Sequence, residues 1–333
     1  MNLLSKIGQL IMVGFEGPSP SDDLLEFFKD FPFGGVILFS RNYKDKGQVR
    51  NLCSTIQEWN LRYNPGAPPL FIGVDQEGGR VKRFGPPFIE SPPNRTWGEL
   101  NAPEKTRENA RAVGKELRDS GLNINFAPVL DVDTNPDNPI IGDRSYGPDP
   151  LLVSRHGVAA IQGFMEGGVF PVGKHFPGHG HTSLDSHACL PEVDTSMKQM
   201  AKVELVPFVN GIKGGLEMLM SAHVVYKNID PQCAATFSRR ILTGLLREEM
   251  GFKGLVFSDD MEMGAVPECH DFPEACVRAV EAGCDILLIC RDREKQETAF
   301  RSLQNAVKSG RIQEKRIDES LERVMRLKNR LTV

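Results

Sequence analysis

Short apolar runs recur along the chain, separated by stretches that are polar or carry their apolar positions at helical spacing. Eight stand out: QLIMVGF from residue 9, GGVILFS from 34, PLFIGVD from 69, NINFAPV from 123, VFPVGKHF from 169, LEMLMSAHV from 216, GLVFSDD from 254 and CDILLIC from 284. Each is nearly continuous, without polar alternation, as a strand must be when both faces of a parallel sheet are buried. Helical spacing occupies 47–62, 103–120, 150–167, 196–213, 237–250 and 271–282, with two more helices after the last run. Strand then helix, eight times over, predicts an α/β fold, a (β/α)8 barrel of the TIM type. The runs start 25 to 54 residues apart with no Ser/Pro-rich or low-complexity linker, so residues 1–333 are expected to form one barrel domain. The longest connection, 76–102, contains PPFIESPPN and is expected to be an ordered loop on the barrel rim.

In such a barrel the functional residues sit at the C-terminal ends of the strands. Most of the runs end in a charge there: Asp75 after the third, Asp131 after the fourth, Lys174 and His175 closing the fifth, His223 after the sixth, Asp259 and Asp260 closing the seventh, and Arg291 after the eighth. The densest chemistry lies in VFPVGKHFPGHGHTSLDSH, residues 169–187. Four of the seven histidines, His175, His179, His181 and His187, fall within thirteen residues of it.

Composition narrows the class of partner. A quarter of the 333 residues are charged, the net charge is −4, and no Lys/Arg-rich block occurs, which disfavours nucleic acid and anionic membrane and favours a small-molecule substrate. No apolar stretch is long enough for a transmembrane helix, and MNLLSKIGQLIMVGF reads as an amphipathic turn and first strand without a signal-peptide cleavage site. Seven cysteines, with no CxxC pair and most inside apolar runs, suit a reducing, cytoplasmic setting.

Several rim residues can carry specific roles. FSDDMEM sets two carboxylates at a strand end, one suited to act as a nucleophile and the other to cap the helix that follows. In DSH, Asp185 and His187 are two apart and face the same way on an extended segment, a carboxylate beside an imidazole near neutrality. In VDQEGGRVKRF, Asp75 can accept and Arg83 can donate hydrogen bonds to hydroxyls, with Gly78 and Gly79 allowing backbone to approach a ligand. The form of that segment is not a phosphate loop. Arg144, in NPIIGDRSYG, is a further rim cation whose structural alternative is a salt bridge to Asp143 or Asp149.

Taken together, VDQEGGRVKR, IGDRSYG, KHFPGHG followed by DSH, and FSDDMEMGA resemble glycoside hydrolase family 3, and within it the single-domain bacterial β-N-acetylglucosaminidases. The resemblance spans essentially the whole chain. It departs at His181, often Asp in relatives, and at the Met-Glu-Met segment after the carboxylate pair. It implies that Asp259 is the nucleophile, His187 the general acid/base and Asp185 its partner, with Asp75, Arg83, Arg144, Lys174 and His175 holding the sugar. It implies retaining hydrolysis of a terminal β-linked N-acetylglucosamine, with muropeptide fragments of the cell wall or chitooligosaccharides as substrates and no cofactor or metal. The intervening glycines are expected to let the His187 loop swing over the sugar. Rival readings are a phosphorylase on the same barrel, a metal-dependent hydrolase built on the HxH pair His179/His181 with His223, and a non-catalytic sugar-binding barrel.

Overall fold

All eight apolar runs form parallel strands in the computed structural model, which describes residues 1–184, 186 and 189–331. In order these are β1 (Ile11–Val13), β2 (Gly35–Leu38), β3 (Phe71–Val74), β4 (Ile124–Asn125), β5 (Phe170–Pro171 and Gly173–Phe176, broken at Val172), β6 (Met218–Ser221), β7 (Leu255–Asp260) and β8 (Ile286–Ile289). Each strand pairs with its neighbours in sequence, and β8 returns to β1 with Ile11 opposite Leu287. The two parts of β5 share the remaining closure: Phe170 stands opposite Ile124 of β4, and Gly173 opposite Leu219 of β6. The ring is therefore the expected (β/α)8 barrel.

Alternation along each strand explains why the runs are continuously apolar. Ile124 and Phe126, Phe170 and Val172, Met218 and Met220, Leu255 and Phe257, and Ile286 and Leu288 belong to one buried cluster that fills the barrel. The residues between them, such as Leu219, Val256 and Leu287, join a second cluster with the surrounding helices. Successive side chains on a strand point to opposite faces, and here both faces are core.

Helices Lys46–Tyr63, Pro103–Asp119, Pro150–Gly167, Phe272–Ala282, Arg293–Lys308 and Glu314–Lys328 match their expected segments closely. The segment 196–213 does not form one helix; it divides into Met197–Met200 and Leu205–Lys213. Pro207 is the reason, because a proline has no N–H to bond to a preceding turn and so belongs in the first turn of a new helix. Between β1 and β2 lies an unanticipated helix, Asp22–Asp30, which Ser21 caps by accepting from Leu24 N–H at 3.1 Å and which buries Leu24, Phe27 and Phe28. The 76–102 connection is ordered, as expected: an antiparallel pair, Gln76–Gly78 with Val81–Lys82, then the helix Asn94–Leu100. No helix among the described residues is long and apolar enough to cross a membrane.

Candidate active site

The C-terminal ends of the strands surround a cleft of about 950 Å³, lined by Asp75, Arg83, Arg144, Lys174, His175 and Asp259 among others. Every proposed sugar-binding residue and the proposed nucleophile thus reach one cavity. Asp185 and His187 lie outside the described residues. Asp131 and His223, also expected on the rim, sit behind the cleft wall; Asp131 acts there as a support.

One wall is an alternating array of charge. Lys174 Nζ bridges Asp75 Oδ1 and Glu77 Oε1, each at 2.7 Å. Arg144 grips Glu77 with two hydrogen bonds, Nη2 to Oε1 at 2.7 Å and Nε to Oε2 at 2.9 Å. Arg83 Nη2 meets Asp75 Oδ2 at 3.0 Å. Backbone geometry underlies the array, since Gln76 holds the hairpin by accepting from Arg83 N–H and Phe84 N–H and donating to Phe84 O.

Burial alone would raise both carboxyls, but the cations outweigh it. Lys174 and Arg83 hold Asp75 well below the carboxylate range, and Arg144 and Lys174 bring Glu77 to about 2. Burial likewise disfavours the Lys174 cation, yet Asp75 and Glu77 raise its pKa above the usual lysine value. Three cations face two carboxylates, so this wall carries a net positive charge. Donors also remain for a ligand: the ammonium has three N–H groups, donates one to Asp75 and forms an ion pair with Glu77, and Arg83 Nε is buried with no hydrogen-bond partner among the described residues. A surface of fixed donors and acceptors suits the vicinal hydroxyls of a sugar.

His175 is set by Asp131, whose Oδ2 lies 2.7 Å from Nδ1 and whose carboxylate also accepts from the backbone N–H of His175 and of His179. An acceptor at Nδ1 places the proton there and leaves Nε2 as the unprotonated nitrogen of the neutral ring. Burial would raise the Asp131 carboxyl, but His175 and the backbone donors lower it.

Across the barrel, β7 delivers Asp259 and Asp260 to the cleft. Asp260 N–H donates to Asp259 Oδ1 at 2.8 Å, while Asp260 Oδ1 accepts from Glu262 N–H at 3.0 Å and turns the chain out of the strand. Burial pushes the Asp260 carboxyl up to about 6. The two neighbours thus differ in kind: Asp260 is tied to its own turn and is easily protonated.

Arg144 pairs with Glu77, whereas Asp143 pairs with Arg80 and Asp149 caps the helix at Leu151. Gly78 and Gly79 serve packing, since side chains there would meet Pro92 O and Pro93 at 2.7 and 2.9 Å. Gly178 and Gly180 are closely packed as well: a Cβ at Gly178 would lie 2.8 Å from Glu204, and one at Gly180 would lie 1.7 Å from Val132 O. The HxH histidines do not converge. His179 is buried, His181 is exposed with Nδ1 3.0 Å from Thr134 Oγ1, and no cluster of three metal-ligating side chains occurs among the described residues.

Glu77 was not anticipated, although the sequence held a signal for it: Asp75 and Glu77 are two apart on an extended segment, the same spacing that singled out Asp185 and His187. Asp131 was legible only as a charge after a strand; its support of His175 comes from β4 and β5 lying side by side.

The sequence matches the Glycosyl hydrolase family 3 N terminal domain over residues 2–327. It is 40% identical over 299 residues to a β-hexosaminidase of Thiobacillus denitrificans, covering 88% of this chain and 81% of that one. It is 39% identical over 272 residues to a β-hexosaminidase of Pseudomonas aeruginosa, covering 81% and 79%. The fold superposes on a family 3 β-N-acetylglucosaminidase from Paenibacillus with a TM-score of 0.97 at 41% identity, over 99% of this chain but only 62% of that longer one. It superposes on a β-N-acetylhexosaminidase from Beutenbergia cavernae with a TM-score of 0.91 at 29% identity, over 99% of both.

Proposed function

The chain belongs to glycosyl hydrolase family 3 and is a glycoside hydrolase, and from that premise we propose that it is a retaining exo-β-N-acetylglucosaminidase. It removes a terminal, non-reducing β-linked N-acetylglucosamine. The observation that carries this reading is the single cleft in which Asp259, at the end of a rigid strand, shares space with the Asp75–Lys174–Glu77–Arg144 wall, Arg83 and His175. The names borne by the relatives, β-hexosaminidase and β-N-acetylglucosaminidase, support the choice of sugar.

In the first step the Asp259 carboxylate attacks the anomeric carbon as the glycosidic C–O bond breaks, and His187 gives its proton to the departing oxygen. In the second, His187 takes a proton from water, the water oxygen bonds to the anomeric carbon, and Asp259 leaves as a carboxylate. Asp185 orients His187 and stabilises its protonated form. An imidazole suits this exchange because its unperturbed pKa, about 6.5, already lies near working pH. The wall opposite binds hydroxyls through Lys174 and Arg83, and its fixed ion pairs keep those donors in place before substrate arrives. Asp260, spent on its turn, takes no part in bond making.

The finer assignments belong to the same reading. The substrates are N-acetylglucosaminyl muropeptides released from peptidoglycan, or chitooligosaccharides, and the enzyme works in the cytoplasm as a single barrel domain without a cofactor. Cys53, Cys276, Cys284 and Cys290, buried in the core, fit a reducing compartment.

The test is turnover of 4-nitrophenyl β-N-acetylglucosaminide, with equal rates in the presence and absence of phosphate. Trapping with a fluorinated glycosyl donor should place one covalent sugar on Asp259 by peptide mass spectrometry, and Asp259→Ala should abolish turnover whatever the leaving group. His187→Ala should cost about 10² to 10⁴-fold with a poor leaving group. With nitrophenyl it should show a burst and partial rescue by azide. An adduct on another residue, or equal loss on both leaving groups without rescue, refutes the assignment.

A further inference from the structure

We propose that His179 and Ser186 form a positioning pair that serves the acid/base assigned to His187. The inference rests on the reading that His187 is the acid/base. It starts from His179, a cleft-lining histidine that the mechanism above does not use.

His179 is 1% exposed and Ser186 is 2% exposed. The ring Nδ1 lies 2.8 Å from Thr182 Oγ1, and Nε2 lies 2.9 Å from Ser186 Oγ. Protonation follows from counting. The Thr182 hydroxyl gives its one proton to His179 O at 3.1 Å and accepts from Asn138 Nδ2 at 3.2 Å. A hydroxyl has two lone pairs, so the second is left to accept from Nδ1–H of His179. The neutral ring then has Nε2 as an acceptor, and Ser186 O–H donates to it. Burial and the neighbouring His175 push the His179 pKa down to about 4, which keeps the ring neutral over the working range.

Both ends of the pair are anchored to the barrel. His179 N–H donates to Asp131 Oδ1 at 2.7 Å, the carboxylate that also orients His175. Ser186 O accepts from Ala265 N–H at 3.3 Å, just beyond the turn that follows Asp259 and Asp260. Ser186 is thus tied by its side chain to the loop after β5 and by its carbonyl to the segment after β7. It stands between Asp185 and His187 in sequence, the two residues assigned to the acid/base. Gly180, packed on Val132 O, holds the same loop from beneath. Neither His179 nor Ser186 needs to touch the sugar; their part is to support the acid/base.

The test uses kcat/KM on two substrates, N,N′-diacetylchitobiose, whose leaving group needs a proton, and the 4-nitrophenyl glycoside, whose leaving group does not. Ser186→Ala should lower kcat/KM on chitobiose about tenfold, the loss expected from one hydrogen bond, and change the nitrophenyl value by less than about twofold. His179→Asn, which keeps a donor near Nδ1 but loses the acceptor at Nε2, should match it. His179→Gln puts an amide oxygen near Nε2 and should recover most of the loss. The double variant Ser186→Ala/His179→Asn should be no worse than either single one, the mark of residues acting as a unit. Equal losses on both substrates, additive losses, or no difference between His179→Asn and His179→Gln would overturn the proposal. His187→Ala is the control that separates the two ideas. If it discriminates between the substrates and Ser186→Ala does not, the positioning pair alone is wrong; if His187→Ala does not discriminate, the acid/base reading falls and the pair with it.

Discussion

Replacing Lys174 by Met should destabilise the protein in a pH-dependent way that a packing defect would not reproduce. Met fills nearly the same volume, so the loss is chiefly that of the ammonium bridging Asp75 and Glu77. Removing one partner of a buried ion pair costs about 3 to 5 kcal/mol. Each carboxylate keeps an arginine, Arg83 or Arg144, so the low end, about 3 kcal/mol at neutral pH, is expected. With an unfolding entropy of about 2 cal/mol/K per residue over 333 residues, the melting temperature should fall by about 4 °C. The pH dependence follows from Glu77. Its carboxyl is brought to about 2 against an unfolded value of about 4.3, and Asp75 is lowered as well. A depressed carboxyl contributes stability that is fully present above the unfolded pKa and is lost as pH falls through the folded one. Without Lys174 both folded values rise, so the gap between parent and variant should be widest at pH 7 and narrow below about pH 4.3. Calorimetric melts at pH 7, 5 and 3.5 measure it. A gap that stays constant with pH, or melting within a degree of the parent at pH 7, would refute the account.

Arg83→Ala should raise KM or lower kcat/KM on the aryl glycoside with little change in melting temperature, because Asp75 keeps Lys174; unchanged kinetics would leave Arg83 as a structural pair only. Gly180→Ala should destabilise by about 3 kcal/mol or more and impair the loop, since its Cβ would lie 1.7 Å from Val132 O; a variant that melts like the parent would show that this approach is not tight. Lys328, wholly buried with Nζ on Gln9 Oε1 at 2.7 Å and Gly34 O at 2.6 Å, has its pKa pushed well below the usual value by burial. The unfolded chain therefore binds a proton that the native state resists, and this residue makes the parent gain stability as pH rises towards about 10.4. In Lys328→Met that gain should vanish, and chemical denaturation at pH 7 and 9.5 should show the difference between the two proteins growing with pH.

The barrel was legible in the sequence because its information is local. A strand buried on both faces must be apolar at every position, and a helix covering it must repeat its apolar residues at 3.6; those two periods recur along the chain and need no knowledge of distant contacts. A charge at a strand's end was equally readable, which is how Asp75, Lys174, His175 and Asp259 were placed on one rim. Asp185 and His187 were read from spacing and resemblance alone. Local pattern missed the helix Asp22–Asp30, and it joined 196–213 across Pro207 although the proline marked the break.

What tertiary structure decided is who pairs with whom. Arg144 could have met Asp143 or Asp149, its neighbours in sequence, yet it meets Glu77, 67 residues away, because the barrel brings the loops after β3 and β4 together. Composition does not tell what the glycines of the histidine loop touch; only the positions of Val132 and Glu204 show them to be close contacts. The same holds for His179, one of four histidines indistinguishable by sequence, whose tautomer depends on Thr182, Asn138 and Ser186 meeting at one ring. Periodicity follows from burial and is written along the chain, whereas ion pairing, close approach and protonation state depend on distances between residues far apart in sequence, which exist only once the ring has closed.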